Sequence, residues 1–87
     1  MVTFDFLVIV TNLPTMAKKL AIWLQRNHDG SEFFQVRDNV WLMAQLGYGS
    51  KMRYYLYRGV ADLIAYSILA KSNRKGFYYV NNKLLNL

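Results

Sequence analysis

SKMRYYLYRGVADLIAYSILAKSNRKGFYYV, residues 50–80, is the stretch on which the fold turns. Its first half has a helical period. At about 100° per residue, Met52, Leu56, Gly59 and Leu63 fall in one narrow sector, flanked by Tyr55 and Val60. The opposite sector holds Tyr54, Arg58 and Ala61, with Lys51 and Tyr57 at its edges. The spacing predicts a helix over 50–65, capped by Ser50, with one apolar face and one aromatic, basic face. Gly59 lies on the apolar face, where glycine costs about 1 kcal/mol of helix propensity, and close approach of another helix is the expected reason for it. The second half reads as strand, polar loop, strand: Ile68 to Lys71, then Ser72-Asn73-Arg74-Lys75-Gly76, then Phe77 to Val80. This is a β-hairpin with a basic tip.

Working back toward the N-terminus, Val40, Trp41, Met43, Ala44 and Leu46 form a second apolar helix, with Asp38 or Asn39 as its cap and Gly47 as its stop. Glu32 to Val36 reads as a short strand. Met16, Leu20, Trp23 and Leu24 share one helix face, with Thr15 as the expected cap and Asn27-His28-Asp29-Gly30 as the end. Before Asn12-Leu13-Pro14, residues 3–11 are rich in Thr, Phe, Val and Ile, and read as a strand with two largely apolar faces. Such a strand is either buried within a fold or paired between chains, so residues 1–12 are expected to serve a homodimer or a partner domain. Residues 83–87 read as a short tail.

The predicted order is β-α-β-α-α-β-β. It implies an α+β fold of the winged helix-turn-helix type: three helices, a small strand between the first two, a C-terminal hairpin wing over 13–87, and an extra N-terminal strand. In a helix-turn-helix the second helix of the pair lies in the DNA major groove. Arg53 and Arg58 suit bidentate contacts to guanine, Lys51 suits phosphate, and Tyr54 and Tyr57 suit phosphate or a thymine methyl. At the wing, Lys71, Asn73, Arg74 and Lys75 suit the backbone or the minor groove. A basic helix face or a basic turn is by itself often only a solvated surface; here the two follow each other in the order the motif needs.

The 87 residues carry 11 Lys and Arg against 5 Asp and Glu, a net charge of +6 that favours an anionic partner. A hydrophobic fraction of 54% supports a packed domain over a disordered chain. With no cysteine and a single histidine, His28, the sequence supplies no zinc site and no Cys-His or Ser-His-Asp scheme. Gly47 and Gly49 lack the Lys-Ser/Thr of a phosphate loop. The tyrosines come without a metal-binding His pair or an arginine-rich centre, and Asp5, Asp29, Glu32, Asp38 and Asp62 are dispersed, so no catalysis and no cofactor are expected. The apolar run Phe6 to Val10 lacks the positive start of a signal peptide, and it is far below the roughly 18 apolar residues of a membrane span. A soluble, cytoplasmic protein with no membrane partner is the expectation.

The segment from Asp62-Leu63-Ile64 through Ile68 to Asn81, together with Leu42-Met43-Ala44-Gln45-Leu46-Gly47, resembles the winged-helix domains of plasmid and phage replication initiators. In that family a helix end, a hydrophobic turn and a short wing precede an aromatic pair and an Asn. The resemblance implies double-stranded DNA binding, in replication initiation or as a DNA-binding regulator. Winged helices also serve transcription regulators, and some act as non-catalytic protein-interaction modules.

Overall fold

Two helices cross at the centre of the molecule, and Gly59 is where they meet. In the computed structural model, which describes residues 4–36, 39–47, 49 and 53–85, helix α2 spans Thr15–Asn27 and helix α4 spans Arg53–Ala65. Met16, Ala17, Leu20, Ala21 and Leu24 are buried along α2, and Leu56, Val60 and Leu63 along α4. A β-carbon on Gly59 would stand 2.8 Å from Met16 Cγ and 3.4 Å from the Ala17 nitrogen. Glycine leaves the room that the Met16 side chain fills: a β-carbon would collide with Met16 Cγ, while the α2 backbone stands at van der Waals distance, so α2 does lie against this point as the sequence suggests. Thr15 is not the cap of α2: Pro14 holds that position without a side-chain hydrogen bond, and its carbonyl accepts the Lys18 N–H. Proline presets the local φ for helix entry and has no N–H to satisfy. For α4, Ser50 and Met52 lie outside the described residues.

Helix α3, Asn39–Gln45, contributes Leu42 and Met43 to the same core, with Leu46 just after it; Asp38, an expected cap, lies outside the described residues. Gly47 ends α3 at φ +82, a conformation open to glycine without a Cβ penalty. Ser67 does the same work after α4 at φ +64, where its N–H bonds to Ile64 and the Ile68 N–H reaches back to Leu63. That double bond pattern closes the helix and turns the chain into the sheet.

The sheet has three antiparallel strands in the order β1-β3-β2. They are β1 (Phe33–Gln35), β2 (Leu69–Lys71) and β3 (Phe77–Val80), with Phe33 opposite Tyr79 and Leu69 opposite Val80. Phe34, Leu69 and Val80 point to the core, so the inward face is apolar as in any one-sided antiparallel sheet.

The N-terminal segment overturns the expectation of a strand: Phe4–Asn12 is helix α1. Phe6, Val10 and Leu13 recur at helical spacing and are buried, and α1 packs on α2 and on the C-terminal residues 82–85. A helix satisfies its backbone within itself and buries one stripe, whereas an edge strand would have left half of its apolar side chains facing water. The expected dimer through strand pairing therefore has no strand to pair. Asp5 lies in the first turn, where the helix dipole favours a carboxylate. At the other end the Thr11 hydroxyl and the Asn12 amide both donate to the Val8 carbonyl.

The expected tail is also a helix, α5 (Asn82–Leu85), with Leu85 fully buried. Asn81 caps it by accepting the Leu84 N–H on Oδ1, and the Asn82 amide donates to the carbonyls of Gly30 and Ser31 in the α2–β1 loop. The described residues thus form an α+β domain with five helices, where the sequence reading anticipates three.

Candidate nucleic-acid interface

Helix α4 divides as its periodicity requires. Leu56, Gly59, Val60 and Leu63 go inward, while Tyr54, Tyr57, Arg58 and Ala61 face solvent. Tyr54 is the most open of the three tyrosines of α4, at 69% exposure, and its ring meets that of Tyr55 edge-on at 5.7 Å. Tyr55, expected to flank the core, is itself exposed. Lys51 lies outside the described residues, and Arg53 is placed only as the first residue of α4.

The solvent side of α4 borders two different hollows. Arg58 lines one of about 350 Å³ with Asp62, Tyr55 and the start of α2 at Pro14, Thr15 and Met16. Tyr57 lines another of about 310 Å³, whose other walls are Gln35, Val36, Lys75, Gly76 and Tyr78. The second hollow lies between α4 and the hairpin, and it brings together two residues that sequence reasoning chose separately, Tyr57 and Lys75. The register Lys71 opposite Tyr78 puts Lys71 on the side of the sheet where Tyr78 lies.

The hairpin tip is built around Ser72. Its Oγ accepts the Arg74 N–H at 3.1 Å and donates to the Phe77 carbonyl at 2.7 Å, with the Arg74 carbonyl 3.0 Å away. Gly76 takes φ +83, and its carbonyl accepts the Val36 N–H, which ties the tip to the end of β1. Asn73, Arg74 and Lys75 are all exposed. The two cations of the tip part company: Lys75 lines the hollow toward α4, whereas the Arg74 guanidinium lies over the Phe77 ring at 4.1 Å.

Gln35, Val36 and Tyr78 were not among the predicted site residues. Tyr78 carried a signal, since it alternates with Phe77 and Tyr79; Gln35 and Val36 reach the site only through the pairing of β1 with β3. His28 points elsewhere, with Nε2 donating to the Ser31 carbonyl at 2.8 Å. In the same loop the Ser31 N–H and hydroxyl hold the Asp29 carboxyl below the usual carboxylate range. Among the described residues no cluster of three His, Cys, Asp or Glu could hold a metal ion, and no helix is long and apolar enough to cross a membrane. No protein-family model, curated protein or solved structure matches the chain.

Proposed function

We propose that this chain is a winged helix-turn-helix domain that binds double-stranded DNA and catalyses no reaction. Helix α4 enters the major groove, and the hairpin tip over 71–76 rests on the backbone or in the minor groove. The role that the resemblance to replication initiators favours is plasmid or phage replication initiation, with a transcription regulator as the alternative, acting in the cytoplasm. The observation that carries the reading is the shared hollow: Tyr57 of α4 and Lys75 of the tip line one concave space, so helix and wing face the same partner. The net charge of +6 supports an anionic one.

Fluorescence anisotropy of a mixed-sequence duplex, titrated with the protein at two salt concentrations, tests this. Binding is expected to weaken steeply with salt, with a slope corresponding to roughly four to six phosphates. Arg58→Ala is expected to lose about 1–3 kcal/mol and relax base preference, while Lys75→Ala weakens all sequences alike and lowers the slope by about 1. Absence of duplex binding at low salt sinks the proposal. The exposed Tyr54 and Tyr55 favour a second reading, a protein-interaction module, which is marked by binding to a protein with no steep salt slope.

A further inference from the structure

The sheet has a second face that the core does not use and that the proposed duplex site meets only at Arg74 of the hairpin tip. Phe33 and Tyr79 are cross-strand partners on its outer side, with ring centroids 4.7 Å apart and exposures of 37% and 40%. Phe77 stands on the same side two residues along β3, its ring edge-on to Phe33 at 6.4 Å, and Arg74 covers Phe77. Tyr79, Phe33, Phe77 and Arg74 thus form one continuous row across two strands. The water-facing side of an antiparallel sheet ordinarily carries polar residues, so three large rings here need a reason.

We propose that this face binds single-stranded nucleic acid by stacking unpaired bases on Phe33, on Tyr79 and on the Arg74 guanidinium that covers Phe77. Aromatic rings accept any base, because every base has a π face, and a flat guanidinium is both a stacking surface and a phosphate donor. Residues two apart on a strand are about 6.8 Å from each other, so the row accommodates two or three nucleotides. Duplex DNA offers these rings nothing to stack on, since its bases are already stacked on one another. The charge is graded along the row. Arg74 lies at the tip end of the row, and Glu32 precedes Phe33 at the opposite end, so the strand's phosphates are drawn to the hairpin tip and its bases lie toward Tyr79.

The test uses the full chain and a fluorescein-labelled oligothymidylate of a dozen nucleotides, which forms no duplex, with the mixed-sequence duplex measured in parallel. The native protein is expected to bind the oligonucleotide. Phe33→Ala and Tyr79→Ala are each expected to weaken that binding by about ten- to a hundredfold, and Tyr79→Phe by little. Duplex binding is expected to stay unchanged in all three. Thermal melting by circular dichroism checks that each variant is folded, and Phe33→Leu, which keeps the bulk and removes the ring, replaces Phe33→Ala if that one is not. A 2-aminopurine placed in the oligonucleotide reports stacking directly: its fluorescence is quenched by the native protein and not by the Leu variant. Ring-dependent oligonucleotide binding without duplex binding overturns the duplex reading and leaves this one standing. Absence of oligonucleotide binding, or binding indifferent to the rings, overturns the inference. So does a result in which the ring variants change only self-association in sedimentation, which would make the face a protein interface.

Discussion

Helix α1 and strand β3 are both short runs of aromatic and β-branched residues, Phe6 to Val10 in one and Phe77 to Val80 in the other, yet their backbones find hydrogen bonds in opposite ways. β3 is the central strand, paired on one side with β1 and on the other with β2. α1 pairs with no strand and bonds within itself, burying Phe6 and Val10 against α2 and α5. Residue preference is weak against packing in both cases. What separates them is the neighbourhood: a hairpin turn delivers β2 to β3, while the Asn12-Leu13-Pro14 break delivers α1 to a helix.

The contrast can be broken from the α1 side first. Phe6→Ala removes a buried ring from the contact that holds α1 and is expected to cost about 3–5 kcal/mol in urea unfolding. A loss below about 1 kcal/mol would mean that α1 adds little to the core. On the β3 side, Val80→Ala is expected to cost about 2 kcal/mol, because Val80 fills the inward face opposite Leu69. The smallest change discriminates most sharply between the two conformations. Val8 is 45% exposed on α1, so Val8→Ala is expected to raise stability by up to about 0.5 kcal/mol through helix propensity, read as a small rise in Tm. In a strand the same substitution would lower it.

Much of the architecture is legible because it depends on local signals. The hairpin is announced by Ser72-Asn73-Arg74-Lys75-Gly76, and Gly76 does take a positive φ. Gly59 announces the α2–α4 crossing, since a glycine on an apolar helix face makes sense only where something lies against it. The division of α4 into inner and outer faces follows from spacing alone. α1 is not legible, because Phe, Val and Ile at alternating positions suit a strand as well as a helix until the surface they pack on is known. α5 is too short for any period to show, and it exists because Leu85 fills a space and Asn81 caps it. The candidate site was legible as a list of cations and tyrosines, but not as a geometry. That Lys75 lies toward α4 and Arg74 away from it depends on Tyr57 and Phe77, which approach from different elements.

The pairing of Phe33 with Tyr79 encloses α3, α4 and β2 within the loop of chain that it closes. Closing so long a loop costs entropy before any strand bond is gained, whereas the helix pair and the hairpin form from near neighbours. Strand β1 is therefore expected to arrive late in assembly, docking on a β3 that the hairpin has already made. The row of rings on the outer face inherits this order. Phe33 comes from one side of the loop and Tyr79, Phe77 and Arg74 from the other, so the row is complete only in the finished molecule.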